Sequence, residues 1–337
     1  MDLSTKFVGI NLPHPLLAGA SPLADSVTRC QALEAAGIAA IVLRSLFEEQ
    51  LEAEAIAHHQ AEVGHPDTRG EARSYLPAVD SSVFGPEQYL THLRAVKKSV
   101  RVPVIASLNG CSHDGWIDYA RAIDAAGADA LELNLYAVAA DPGESGAELE
   151  DRTLRVVHAV RRAVQLPLVI KVSPFYTALT NFALRLEEAG ADGIVLFNRF
   201  YEPDIDIEAR EPRYHLELSE SRELGLRLRW LGLLSGHVRG SLAVSGGVHT
   251  ARDAIKAVLC GATAVQLVSA LLRGGLERIG GLLAELTLWL EENGYHSLQH
   301  LRGSMDQSRT PDPGAIERLQ YMHSLETYRL PGPVADS

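Results

Sequence analysis

The sequence predicts an α/β fold of the (β/α)8 TIM-barrel class, with long insertions after strands 2 and 6. Three observations carry that expectation. One short phrase, a helix end followed by glycine, a turn and an apolar strand, recurs along the chain. Its strands are apolar throughout, as in a parallel sheet covered by helices, and do not alternate with polar residues. Counting all such runs gives eight strands, and 337 residues suit one barrel with insertions. A doubly wound open sheet shares the alternation and is the runner-up.

The first strand falls at Pro15 to Ala20. The recurring phrase begins at Ala35-Ala36-Gly37-Ile38-Ala39-Ala40-Ile41-Val42-Leu43 and supplies the second. It returns at Ala125 to Leu133, at Glu188 to Leu196 and at Cys260 to Leu267, each time with glycine where a helix C-cap is needed. Pro103 to Leu108 and Pro167 to Val172 are further strands, each preceded by a helical run, and Leu242 to Val244 completes the eight.

Two segments interrupt the alternation. Phe47 to Arg101 leaves the second strand, helical at first and then irregular around Gly64 to Pro86. Phe200 to Arg239 follows the strand that ends near Asn198. Loops this long are commonly lids or binding loops, and both leave the strand ends where a barrel keeps its site. Residues 1–303 thus form a single barrel domain, and 304–337 a C-terminal appendage with a helix-like run from Ala315 to Tyr328.

A net charge of −12 argues against a nucleic-acid or anionic-membrane surface. Cys30, Cys111 and Cys260 are far apart and form no CxxC, which fits a reducing compartment. No apolar run reaches the roughly 18 residues of a membrane span, and the N-terminus lacks a signal sequence. The expectation is a cytoplasmic protein.

The most informative stretch is Ala243 to Leu272. Ser245-Gly246-Gly247 follows an apolar run, so its backbone N–H groups can approach an anion without a Cβ in the way. Thr250 is placed to cap a helix from Ala251 to Leu259, with Asp253 in its first turn. Gly261 stops that helix, Ala264 to Val268 is a buried strand, and Ser269 opens another helix. Two neighbouring strand ends that present backbone donors form a phosphate cradle.

Polar residues mark the other strand ends: Ser21, Arg44, Ser45, Ser107, Asn109, Asn134, Lys171 and Asn198. A lysine inside Val169-Ile170-Lys171-Val172 calls for an anionic partner, because an unpaired buried ammonium is costly. That partner is a ligand or a carboxylate on a neighbouring strand, such as Glu132. Asn134 and Asn198 can bond either the barrel rim or the amide edges of a heterocycle. His58, His59 and His65 are spaced as a surface helix and not as a metal site.

These phrases resemble the dihydroorotate dehydrogenases, and particularly their soluble class 1 branch. The resemblance runs over roughly residues 5 to 303, through Leu17 to Ser21, Ile41 to Ser45, Ile105 to Asn109, Leu131 to Leu135, Pro167 to Pro174 and Ser245 to Leu271. It implies an FMN flavoprotein. Ser245, Gly246, Gly247 and Ser269 would form the phosphate site. Lys171 would lie by the N1/O2 edge, where its charge favours the negative charge of a reduced flavin. Ala20 and Ser21 would lie against the ring system, with Arg44, Ser45 and Ser107 near it. Asn134 and Asn198 would reach flavin and substrate, and Asn109 the substrate. Arg44 stands where the family usually has lysine, which keeps the charge but not the shape.

The departures are on the substrate side. After its Asn the family carries a loop with a Cys or Ser that removes a substrate proton. This chain reads Asn134-Leu135-Tyr136-Ala137-Val138-Ala139. A family Asn in a Leu-Pro-Asn phrase is Ala78 here, and a Gly-Gly phrase before the seventh strand is replaced by His215 to Glu220. Tyr136, Cys111 and His113 are the candidate replacement bases. The expected function is an FMN oxidoreductase that takes hydride from a small CH–CH substrate to flavin N5, and with the family's catalytic Cys/Ser loop missing that substrate need not be dihydroorotate. The alternatives are a flavin-binding electron-transfer subunit, and a sugar-phosphate-binding barrel enzyme. The resemblance also implies a homodimer; with no four-cysteine set for an iron–sulfur cluster in the sequence, electrons would leave to a soluble acceptor or an acceptor protein.

Overall fold

The computed structural model describes residues 1–47, 85–109, 115–199, 204–213, 217–309, 321–323 and 325–327. Eight strands line up in parallel: β1 (Leu16–Ala18), β2 (Ala40–Val42), β3 (Val104–Asn109), β4 (Ala130–Asn134), β5 (Leu168–Val172), β6 (Gly193–Leu196), β7 (Ser241–Ser245) and β8 (Ala264–Leu267). Each pairs with its neighbour in sequence, and Val265–Leu267 pairs with Leu16–Ala18 to close the ring. The doubly wound alternative, which needs two open edges, is excluded. The eighth strand stops one residue before the expected Val268, whose ψ of −72° starts the next helix.

The recurring glycines explain why strand follows helix so abruptly. Gly37, Gly127, Gly190 and Gly261 have φ of 91°, 86°, 109° and 113°, a left-handed turn that ends each helix and aims the chain into the barrel. Helices α1 (Val27–Ala35), α2 (Pro86–Ser99), α3 (Gly115–Ala125), α4 (Gly146–Ala163), α5 (Leu179–Glu188), α6 (Leu224–Leu234) and α7 (Ala251–Leu259) pack outside, followed by α8 (Ser269–Gly274) and α9 (Arg278–Glu292). Helix α7 is bounded as expected: the Thr250 side chain accepts from the Asp253 N–H, and the Asp253 side chain accepts from the Thr250 N–H. In α4 the buried residues Thr153, Val156, Val157 and Val160 recur at helical spacing and make a single inward stripe.

Alternation within the strands divides the core in two. Leu131, Leu168 and Ile170 face the helices, whereas Leu17, Val42, Ile105, Ala130, Val169, Val195, Ala243 and Ala264 fill the barrel. The hairpin of Thr5–Phe7 and Ile10–Leu12 pushes Phe7, Val8 and Leu12 against this inner cluster. The N-terminal end of the barrel is therefore plugged with apolar side chains, and polar chemistry is confined to the other end. The hairpin itself was not foreseen from sequence.

The first insertion begins differently from expectation. Leu46–Phe47, where a helix was expected to start, forms a short strand on Leu108–Asn109 that anchors Leu46 in the core at 2% exposure. The rest of the expected helical and irregular stretch, as far as residue 84, lies outside the described residues. The second insertion contains the hairpin Asp204–Asp206 with Glu211–Arg213. Past residue 303 the Met305 N–H donates to the Leu259 carbonyl at 2.9 Å, and Asp306 accepts from the Ser235 hydroxyl at 3.0 Å. Most of the expected run Ala315 to Tyr328 lies outside the described residues. No helix among those described is long and apolar enough to cross a membrane.

Candidate active site at the C-terminal strand ends

Two residues along from the apolar plug, the inward positions become polar. Glu132 follows Ala130 on β4, Lys171 follows Val169 on β5, and Gln266 follows Ala264 on β8, and their exposures are only 1%, 5% and 1%. The Lys171 ammonium donates to Glu132 Oε1 at 3.3 Å and to Gln266 Oε1 at 3.2 Å. Gln266 Nε2 donates to Glu132 Oε2 at 2.5 Å, which closes a ring of three side chains. The sequence-level alternative of a Glu132 carboxylate for Lys171 is thus present. An ammonium has three donors, so one N–H of Lys171 remains beyond this ring.

Asn134 lies one step nearer the mouth on β4 and pairs in register with Lys171. It is 6% exposed, and its Oδ1 has no hydrogen-bond partner. An orphaned buried acceptor costs about 1–3 kcal/mol unless a ligand donates to it. Ser21, just past β1, is also buried with an unpartnered Oγ. Ser45 Oγ lies 2.7 Å from Ser107 Oγ. The buried Tyr89 hydroxyl donates to the Ser107 carbonyl at 3.2 Å and accepts from the Ser107 N–H at 2.8 Å. Burial pushes the Tyr89 phenol up, opposed by its bond to Ser107 and reinforced by Glu132. It stays neutral and fixes the rim of β3.

Other expected site residues stand on the same face. Ala20 and the half-buried Asn198 follow β1 and β6, and Asn109 ends β3. Arg44 is committed to a neighbour, its Nη1 lying 3.0 Å from Asp25 Oδ2. Tyr136 is half-buried two residues beyond Asn134, with its N–H on the Asn134 carbonyl at 3.0 Å. Cys111, His113, His58, His59, His65 and Ala78 lie outside the described residues.

The glycine turn after β7 is built as expected and is braced by residues the sequence reading missed. Gly246 and Gly247 both have φ of 80°, and a Cβ on Gly247 would stand 2.6 Å from the Leu224 nitrogen. Arg227 of α6 lies under the turn, donating from Nε to the Ser245 carbonyl at 2.6 Å. Ser219 lies across it. The Ser219 hydroxyl accepts from the Gly247 N–H at 3.1 Å and lies 3.3 Å from His249 Nε2, and its own N–H donates to Ser269 Oγ at 3.0 Å. Burial holds the His249 imidazole below its ordinary pKa, with Arg273 adding to the effect. The cradle therefore draws on β7, β8 and the segment before α6.

These residues fit FMN. The pyrimidine-like edge of its ring system carries an N–H flanked by carbonyl groups, matching an orphaned Asn134 acceptor beside a spare Lys171 donor. Its phosphate suits a glycine turn at a strand end, where it would compete with Ser219 for the Gly247 N–H. Lys171, Asn134, Ser21 and Ser107 would hold the ring, and Gly246, Gly247 and Ser269 the phosphate. Among the described residues no group of three or more His, Cys, Asp or Glu side chains could hold a metal ion. A cavity of about 700 Å3 opens at the opposite, plugged end, lined by Lys6, Asp192, Arg239 and Arg302. It lies away from the strand ends that carry the polar chemistry.

A profile of the family described as dihydroorotate dehydrogenase matches residues 68–290. The catalytic subunit of dihydroorotate dehydrogenase B (NAD(+)) of Thermoplasma acidophilum is 26% identical over 310 residues, covering 90% of this chain and 98% of that protein. The NAD-dependent dihydropyrimidine dehydrogenase subunit PreA of Escherichia coli K12 is 26% identical over 330 residues, covering 92% and 78%. Dihydroorotate dehydrogenase A (fumarate) of Lactobacillus helveticus is 29% identical over 234 residues, covering 68% and 74%. With a closed parallel barrel and a family match over about two thirds of its length, the chain belongs to the dihydroorotate dehydrogenase family.

Proposed function

We propose that the chain is an FMN-dependent oxidoreductase that acts on the CH–CH bond of a small cyclic substrate. The observation that carries this reading is the pairing of a spare Lys171 donor with the orphaned Asn134 acceptor at the mouth of a plugged barrel. Relatives are named for dihydroorotate and for dihydropyrimidine, both partly saturated pyrimidine rings, which supports that substrate class. Bound FMN would supply the hydride acceptor. Lys171 holds positive charge where negative charge gathers on reduction, and Asn134 fixes the orientation of the ring.

Oxidation of a CH–CH bond also removes a proton from the carbon next to the hydride donor, so a base must lie within reach. The segment Leu135 to Ala140 offers neither Cys nor Ser. Tyr136, half-buried after Asn134, takes that role in this reading. Dihydroorotate is then a poorer substrate than a ring lacking its carboxylate, because the asparagine phrases that would bind it are gone. A second reading is a flavin-binding electron-transfer subunit, favoured by the same missing base and by relatives that are themselves named as subunits. In either reading the electrons leave to a soluble acceptor or an acceptor protein, and a homodimer is the expected assembly.

The purified protein is tested by its visible spectrum after FMN is supplied, then by anaerobic addition of dihydroorotate and of dihydrouracil. A flavin band bleached by either substrate, and left unbleached in Tyr136→Phe, supports the oxidoreductase. A band that neither substrate bleaches favours the electron-transfer reading. A protein that takes up no flavin overturns both and returns the sugar-phosphate barrel.

A further inference from the structure

The carboxylate beneath Lys171 has no part in the proposed chemistry. Glu132 is 1% exposed, and both its oxygens are used, one by Lys171 and one by Gln266. A carboxylate that only satisfied a buried ammonium would need one good contact. Here the carboxamide of Gln266 bridges the pair and leaves Glu132 no other partner to turn to. The ring is also assembled across the barrel, because Gln266 is 134 residues away from Glu132 on the far side of the closure. Its geometry is therefore held by the whole fold and not by one loop.

We propose that Glu132 is a positioning residue that sets, through Lys171, how strongly the site prefers reduced over oxidised flavin; this rests on the FMN reading above. The argument is electrostatic. Charges a few ångströms apart in a dry interior interact strongly, so a carboxylate 3.3 Å from the ammonium cancels much of the potential that Lys171 projects toward the mouth. With Glu132 in place, Lys171 orients the ring edge but offers only part of a full charge to the reduced form. Gln266 keeps the carboxylate aimed at Lys171 by donating to its second oxygen. The site is thus poised so that the reduced flavin can still pass its electrons onward.

The test uses the full-length protein loaded with FMN. The midpoint potential is measured by dye-coupled reductive titration, and the dissociation constants of oxidised and reduced FMN by fluorescence. Glu132→Gln should shift the preference toward the reduced form at least about tenfold, which is about 30 mV for a two-electron couple. Gln266→Met removes the donor that holds Glu132 against Lys171 and should shift the preference the same way, by a smaller factor. It also decides the matter by its sign if Glu132→Gln does not fold. Unchanged potentials in the folded, FMN-bound variants would overturn the inference while leaving the cofactor reading intact. A wild-type protein that binds no FMN would instead overturn the cofactor reading itself.

Discussion

Lys171 and Glu132 form an ion pair 3.3 Å long in the interior of the barrel, on adjacent strands and with almost no exposure. Buried pairs of this kind add little net stability, yet breaking one from a single side leaves a charge with no compensation. Lys171→Met should therefore destabilise the fold by about 3–5 kcal/mol. Replacing Lys171, Glu132 and Gln266 together by Met, Leu and Met should recover most of that loss, because no polar atom is then stranded. Urea unfolding of both proteins decides the matter. A Lys171→Met variant as stable as the wild type would mean that water or another group reaches Glu132.

Gly247 makes a second prediction. Its φ of 80° is unfavourable for any residue with a side chain, and an added Cβ would come within 2.6 Å of the Leu224 backbone nitrogen. Gly247→Ala must displace either the turn or the start of α6. The expected outcome is a loss of about 1–3 kcal/mol, in line with strained left-handed backbone, together with at least a tenfold weaker hold on FMN. Gly280→Ala is the control, since its Cβ meets nothing within 4 Å and it lies in the first turn of α9. That variant should match or exceed the wild type in thermal stability.

Much of this was legible in the sequence because it is local. The glycines that end α1, α3, α5 and α7, the apolar run behind each and the Thr250 cap are decided within about one helical turn either side, and all stand as expected. Lys171 and Asn134 could be singled out because polar residues in an apolar strand are conspicuous. Gln266 was not singled out: it sits in the same kind of strand, but its importance comes from facing Glu132 across the closed barrel, and no spacing in the chain encodes that. Ser219 and Arg227 were hidden for the same reason, since both act on a turn that lies far along the sequence. Phe47 was expected to open a helix, and its short strand with Leu46 was missed because two residues are too few to show a period.

Ser219 is the clearest case of such a long-range brace. Its hydroxyl receives the Gly247 N–H, and its own N–H ties the segment before α6 to Ser269. Ser219→Ala strands one buried donor, so a loss of about 1–3 kcal/mol is expected. Thermal unfolding should show it, and hydrogen exchange at Gly247 should become faster than in the wild type. Unchanged exchange at Gly247 would mean that the turn is held by Arg227 alone.

The pH dependence of stability should be governed in part by His14, far from the site. Its Nε2 lies 2.8 Å from the Gly37 carbonyl, and its Nδ1 accepts from the Leu16 N–H at 3.3 Å. One neutral tautomer satisfies both contacts, with the proton on Nε2. A second proton would have to sit on Nδ1, facing the Leu16 N–H. Burial, the larger effect, holds the folded pKa below the ordinary 6.5, against the bond to Gly37 that favours the charged form. The unfolded chain then takes up the proton first as pH falls, so His14 contributes stability above 6.5 that is lost progressively below it. His249, also held low, acts in the same direction and adds to the slope. The melting temperature should therefore drop between about pH 7.5 and about pH 5.5, and drop less in His14→Gln, which cannot titrate there. Equal drops in the two proteins would show that His14 takes up its proton at the same pH folded and unfolded, and that the ring is not locked between Gly37 and Leu16.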